Sequence, residues 1–242
     1  MELYERMAIP AACKVDKTVF KKLFYENADL SAVDRVLFTD GIEKVTWMYC
    51  LKPETVNIPA FKNEERDYPE IEVLEVALTA DKGLRRIAEI VMRTIPYPML
   101  LVFRLGDAYA LWTAHQHINL ADSSKIAVDE FVKTGWLDAS ADLPDAMNIK
   151  AMHWSNYYTL YSDMVDAISV WNAGRLTGET ESDLNGTEAR LLLAAVEDVD
   201  RQIAAVRAEL KKELQFSRKM ELNMQVKKLE QRKRQMIGGQ EA

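Results

Sequence analysis

EIEVLEVALTADKGLRRIAEIVMRTIPYPMLLVF, residues 70–103, is the stretch whose reading decides the fold. It opens with charged and apolar side chains in alternation, Glu70-Ile71-Glu72-Val73, and closes on the apolar run Val76-Ala77-Leu78. A strand that passes from a sheet edge into the interior has that pattern. Residues 82–94 then place Leu84, Ile87, Ala88, Val91 and Met92 at helical spacing, with Arg85, Arg86 and Glu89 opposite, which predicts a helix packed on the sheet. Ile95-Pro96-Tyr97-Pro98 ends it, because a residue before proline is pushed out of the α region. Met99-Leu100-Leu101-Val102-Phe103 follows as a central strand, so the stretch is one helical crossover between two strands.

Upstream, Lys44-Val45-Thr46-Trp47-Met48-Tyr49 is rich in β-branched and aromatic residues and predicts a strand stopped by Lys52-Pro53, with residues 54–58 expected to pair with it. Residues 16–40 read as two short helices. The first carries Val19, Phe20, Leu23 and Phe24 on one face, and the second is opened by Ser31 with Asp34 three residues on, a capping arrangement. Downstream, Gly106-Asp107 marks a turn, Tyr109–Thr113 a returning strand, Ile126–Val132 another strand segment and Trp154–Trp171 a helix. One crossover among hairpins predicts an α+β class, a mixed sheet with packed helices.

Residues 174–186 hold three glycines and several small polar residues, which sets the expected boundary. Residues 1–178 are expected to form a globular domain, and 179–242 a linker and a long basic helical arm. No glycine or proline occurs from Thr187 to Met236, so one continuous helix is favoured there, on the order of 75 Å long. Leu192, Val196, Val199, Ile203, Val206 and Leu210 make a coiled-coil-like seam; Leu222, Val226, Leu229 and Met236 resume it in another phase, with the break at Gln215-Phe216-Ser217. A long helix with a narrow apolar seam is marginal until that seam meets a partner helix, from the same chain, a second copy or another protein.

The chain of 242 residues is 48% hydrophobic and 29% charged, a composition that excludes disorder over the whole length. No stretch approaches the roughly 18 consecutive apolar residues of a membrane helix. Met1–Arg6 is charged rather than basic and then apolar, so no secretory signal is read and a cytoplasmic location without membrane contact is expected. Cys13 and Cys50 have no metal-ligand spacing and read as two buried thiols. The net charge of −7 divides unevenly, +6 on residues 201–242 and −13 on residues 1–200. With nine glycines and neither a Gly-x-x-x-x-Gly-Lys-Ser/Thr nor a Gly-x-Gly-x-x-Gly sequence, no phosphate-cradling loop is expected.

Several segments in order carry a family resemblance: Ile9-Pro10, Lys17–Glu26, Thr46-Trp47, Leu51–Ile58, Glu70–Val73, Ile95–Pro98, Tyr158–Tyr161 and Glu213–Asn223. On these residues the chain resembles the bacterial family of domain of unknown function 4391 over nearly its whole length. The resemblance implies no particular activity. It implies a setting, since members of the family tend to be encoded beside helicases and DNA methyltransferases of restriction-type defence operons. One position departs from the family pattern: Ser217 stands where asparagine is usual.

Three groups of residues are candidates for chemistry. His115-Gln116-His117, at the end of a predicted strand, puts two imidazoles on one face, but zinc would need further ligands such as Asp122, and a hydrogen-bonded pair is the plainer reading. Helix, strand, strand, strand, helix, strand over 31–103 is the order of the αβββαβ core of many restriction nucleases, in which carboxylates and a Glu-x-Lys hold magnesium. Asp67, Glu70, Glu72 and Glu75 could supply the acids of a divergent magnesium-dependent nuclease, yet no lysine stands two residues after any of these glutamates. No catalytic residue and no cofactor are therefore assigned. The basic residues Lys211, Lys212, Arg218, Lys219, Lys227, Lys228, Arg232, Lys233 and Arg234 recur along the arm and could touch phosphate weakly. The function expected is a non-catalytic accessory subunit of a DNA-processing, restriction-modification-like complex of antiviral defence. It would dock by Phe216, Leu222, Val226 and Leu229 on a helicase or DNA methyltransferase, or on a second copy; a nuclease or a stand-alone DNA-binding module are the alternatives.

Overall fold

Strand β5 (Ile71–Leu78) and strand β6 (Met99–Leu105) lie side by side and parallel in the computed structural model, joined by helix α5 (Leu84–Thr94), so the crossover read from residues 70–103 is present. The structure describes residues 3–119, 122, 126–178 and 184–238. In chain order around the crossover come α1 (Leu3–Arg6), β1 (Lys14–Thr18), α2 (Lys22–Asn27), α3 (Ala32–Gly41), β2 (Ile42–Leu51), α4 (Pro53–Val56), β3 (Phe61–Lys62) and β4 (Asp67–Tyr68). After it come β7 (Ala108–Thr113), β8 (Gln116–Ile118), β9 (Ile126–Val128), β10 (Val132–Lys133), α6 (Leu143–Ala146), α7 (Tyr157–Thr177), α8 (Gly186–Lys212) and α9 (Phe216–Met236). The six-stranded sheet runs β1-β2-β5-β6-β7-β10, antiparallel except for the β5–β6 pair, and two small hairpins, β3–β4 and β8–β9, stand outside it. The class is α+β with a long C-terminal helical region.

Contacts divide the chain into two compact units, Met1–Ile168 and Ser169–Ala242, with the division inside α7. Of the expected linker, residues 179–183 lie outside the described residues. In the first unit Leu74, Val76 and Leu78 of β5 pack with Ile87 and Val91 of α5 and with Leu101 and Phe103 of β6. Residues 99–103 of β6 are all buried, which is why they read as a continuous apolar run. Ser31 and Asp34 form the expected capping box of α3. Gly83 caps α5 with φ of +71°, a left-handed conformation that favours glycine, and a Cβ there would press on the end of the Leu37 side chain at 2.7 Å.

Three local expectations are corrected. Residues 14–18 form an edge strand on β2 instead of leading into a helix, and Phe20 is left exposed. Residues 53–56 are a helical turn, because Pro53 suits the first helical position and Asn57 closes the turn in a left-handed conformation. The strand order of a nuclease αβββαβ core is therefore not realised over 31–103: the strand pairing with β2's free side comes from before α3.

The continuous helix over 187–236 is also corrected. Helix α8 ends at Lys212 and α9 begins at Phe216, with Glu213 and Gln215 in extended conformation between them. The Glu213 carboxylate accepts the backbone N–H groups of Leu214 and Gln215, both at 2.8 Å, which gives the break its own hydrogen bonds. The two half-seams then close on each other: Val199, Ile203, Val206, Leu222 and Val226 are buried together, flanked by Leu210, Leu229 and Met236. Arg207–Glu230 at 2.6 Å and Lys233–Asp200 at 2.7 Å bridge the antiparallel pair. The phase shift at Gln215-Phe216-Ser217 is the elbow of a helical hairpin.

Candidate functional site

Register decides where the acidic residues of β5 go. Along a strand, successive side chains alternate faces, so Glu72 and Glu75, three apart, face opposite sides of the sheet. Cys50 of β2 stands directly across from Glu72, and Trp47 across from Leu74, so one extra residue of β2 is accommodated between them. That bulge turns Trp47 and Cys50, which a regular strand would point apart, toward the same carboxylate. The Trp47 indole N–H donates to Glu72 Oε2. Cys50 Sγ–H donates to Glu70 Oε2 at 3.7 Å, and one ligand atom each of Cys50, Glu70 and Glu72 lie within 4.8 Å of one another.

Burial dominates the chemistry of this cluster. Cys50 is 4% and Glu72 3% exposed, whereas Glu70 is half-buried. Burial, helped by the Glu70 charge, pushes the Glu72 carboxyl up to about 7 against the opposing Trp47 hydrogen bond. Burial and then the two glutamates push the Cys50 thiol well above the usual range, which makes it a poor nucleophile when no cation is present. The hydroxyl of Tyr157, at the start of α7, is fully buried with no hydrogen-bond partner. Burial raises its titration first, followed by the charges of Cys13, Cys50, Glu54 and Glu70. Leaving such a hydroxyl unpaired costs about 1–3 kcal/mol. A thiol and two carboxylates are a donor set able to hold a divalent transition metal.

The four acids of the nuclease alternative occupy three places instead of one site, which corrects their reading as a single cluster. Asp67 lies on the β3–β4 hairpin in an ion pair with Lys62. Glu75, on the other face, accepts from Tyr4 Oη at 2.7 Å and from Arg104 Nε at 3.1 Å. It lines a cavity of about 900 Å³ with Tyr4, Arg6, Met48, Arg104 and Tyr109. Only Glu70 and Glu72 come together, and Leu74 stands where a nuclease lysine would follow Glu72. Cys50 and Trp47 were not legible as members of this site, since strand pairing and a bulge, rather than sequence spacing, bring them to it.

The two histidines are engaged separately. His115 Nδ1 meets the Tyr68 hydroxyl at 3.0 Å, and His117 Nδ1 meets Asp129 at 2.6 Å. Arg66 ties the same hairpins together through Gln116 O at 2.7 Å and Asp129 at 3.2 Å. The hydrogen-bonded reading of His115 and His117 describes these contacts.

In the second unit, Leu222 and Val226 are buried against α8 and Leu229 is partly covered by the same cluster. Three of the four residues expected to meet a partner are therefore engaged within the hairpin, and Phe216, 77% exposed at the elbow, is the one that projects. Leu214, Met220 and Met224 are exposed as well, at 91%, 50% and 57%. Among the basic residues, Arg218 pairs with Glu209 and Glu221, and Lys233 with Asp200. Lys227, Lys228 and Arg234 line a shallow groove with Met224, on the outer face of α9. No helix among the described residues is long and apolar enough to cross a membrane.

Comparison with known proteins adds a family and no activity. No curated protein and no solved structure matches the chain. A match over residues 7–232, nearly the whole length, shows that the chain belongs to the family described as Domain of unknown function (DUF4391).

Proposed function

We propose that this protein is a non-catalytic accessory subunit of a DNA-processing complex of restriction-modification type, and that it docks through the elbow and outer face of its C-terminal hairpin. The observation that carries the reading is the stripe Leu214, Phe216, Met220 and Met224, large apolar side chains left in water on a hairpin whose own seam is already filled. Contiguous apolar surface of this kind marks an interaction site in a soluble protein. Lys211, Lys212, Lys219, Lys227 and Lys228 stand along the same segment, so the matching surface is apolar at its centre and acidic at its rim. A helicase or DNA methyltransferase encoded beside the gene is the partner that the family setting suggests. The absence of a lysine after Glu72, and the dispersal of Asp67, Glu70, Glu72 and Glu75, favour this reading over a magnesium-dependent nuclease.

The test is co-purification with the products of neighbouring genes. The variant carrying Leu214→Asp and Phe216→Asp loses the partner while keeping its helicity, because neither side chain belongs to the hairpin core. Undiminished recovery of the partner by that variant overturns the proposal.

A further inference from the structure

We propose that Cys50, Glu70 and Glu72 form a site for one divalent cation of the zinc class, with a fourth coordination position left to water. Two independent observations meet here. The three ligand atoms are already gathered within 4.8 Å of one another. A fully buried hydroxyl with no hydrogen-bond partner, that of Tyr157, feels the charges of Cys50 and Glu70, and a metal-bound water is the kind of partner it lacks. No lysine or arginine pairs with Glu70 or Glu72 among the described residues, so no fixed positive charge competes with a cation there.

The donor chemistry selects the metal. Zinc is held by thiolate and carboxylate in tetrahedral sets, and three protein donors leave a position for water. Magnesium demands six hard oxygen ligands in near-octahedral array, which a buried thiol and two carboxylates do not offer. The support of the site fits the same assignment, since the Trp47 N–H fixes one oxygen of Glu72 and leaves the other to bind. The half-buried Glu70 is on the solvent side and is the way in.

Binding forms a metal–sulfur bond and metal–oxygen bonds and breaks only the Cys50 S–H bond and the O–H bond of whichever Glu72 carboxyls are protonated. Those protons leave to solvent, no electron is transferred, and affinity therefore rises with pH. The site is buried at the β2–β5 pair, so the cation would brace the sheet there and would not meet a substrate.

The experiment uses the full chain, stripped with a chelator and titrated with cobalt(II) as a spectroscopic stand-in for zinc. The expected result is one equivalent taken up, a sulfur-to-cobalt charge-transfer band in the near ultraviolet, displacement by zinc(II) and proton release. Cys50→Ser abolishes the band. Glu72→Gln, whose amide oxygen still accepts from Trp47, weakens binding at least tenfold with the fold intact. Tyr157→Phe weakens it roughly tenfold without lowering the thermal stability of the metal-free protein, a combination that a purely packing role would not produce. His117→Ala changes nothing. Failure of the folded, stripped chain to take up cobalt or zinc overturns the proposal, as does a band that survives Cys50→Ser or uptake of magnesium in preference to zinc.

Discussion

Arg86 on the crossover helix grips Asp34 at the start of α3 with two hydrogen bonds, Nε at 2.7 Å and Nη2 at 2.8 Å. The same Asp34 carboxylate accepts from the Ser31 backbone N–H at 3.0 Å and from its hydroxyl at 2.8 Å. One buried side chain thus closes the N-terminus of α3 and ties it to α5.

Asp34→Ala is expected to cost about 1–2 kcal/mol, from the lost cap and the loss of an ion pair whose Arg86 side is 41% exposed. The Arg86 guanidinium holds the Asp34 carboxyl well below the usual carboxylate range. A depressed native pKa gives stabilisation that is full above the unfolded value, near 4, and is lost as pH falls below it. Urea unfolding should therefore separate wild type from Asp34→Ala at pH 7 and bring them together near pH 2. An equal separation at both values would remove the electrostatic part of the account.

Tyr161 bridges the ends of β6 and β7: its hydroxyl lies 2.8 Å from Met99 O and 3.0 Å from Ala114 O, and it accepts the Ala114 N–H at 3.1 Å. Tyr161→Phe removes no packing but leaves buried backbone groups unpaired, at a cost of about 2 kcal/mol. Amide hydrogen exchange should quicken at Ala114 well before it does at the centre of β6. Unchanged protection at Ala114 would show that the hydroxyl is not its partner.

How much of this was readable follows from the range over which each feature is determined. The 70–103 crossover and the Ser31–Asp34 cap are local patterns of apolar period and capping chemistry, and both stand in the structure. Residues 14–18 were hidden because an exposed edge strand carries little apolar signal: Lys14, Asp16, Lys17 and Thr18 are all exposed. The hairpin was half legible. The phase change at Gln215 was visible, but a helix-favouring sequence such as Glu213-Leu214-Gln215 does not announce that it will turn, because the turn is driven by two half-seams that find each other. The Cys50–Glu70–Glu72 cluster was out of reach, since its members are twenty residues or more apart in part and meet only through the register and bulge of β2 against β5.

Val226→Asp and Phe216→Asp should separate the two roles of α9. A charge at Val226, 8% exposed in the seam, opens the hairpin and costs several kcal/mol. A charge at Phe216, 77% exposed, changes stability by less than about 0.5 kcal/mol. Thermal melts followed by circular dichroism measure both. A Phe216→Asp variant as unstable as Val226→Asp would mean that the elbow side chain is part of the core and not a docking surface.

Glu72 predicts an opposite pH trend to Asp34. Its carboxyl is pushed up to about 7 by burial, from an ordinary 4.5, so the folded chain keeps a proton that the unfolded chain has released. Stability then falls as pH rises between those two values and levels off above, by about 3 kcal/mol at most. In chelator, Glu72→Gln should match wild type near pH 4.5 and exceed it at pH 8. A variant no more stable than wild type at pH 8 would show that Glu72 ionises in the fold without penalty.

DNA contact, if the hairpin makes it, is expected to be weak. Residues 201–242 carry +6 beside −13 on the remainder, so long-range attraction to a polyanion is opposed, and only close approach of the hairpin helps. Arg218 and Lys233 are already in ion pairs, which leaves Lys211, Lys212, Lys219, Lys227, Lys228, Arg232 and Arg234 as the residues best placed to meet phosphate. Four or five such contacts would make affinity fall by about a hundredfold between 50 and 200 mM salt, with little sequence preference. Reversing Lys227 and Lys228 to glutamate should lower the logarithmic salt slope by about 2, since each contact contributes close to one. Both positions lie on the outer face of α9, away from the Leu222 and Val226 seam, so the hairpin stays folded. A salt titration of a labelled duplex against wild type and this variant measures the slope directly. Tight binding by the variant with an unchanged slope would place the DNA surface on the first unit, and the basic stripe of α9 would then serve the protein partner alone.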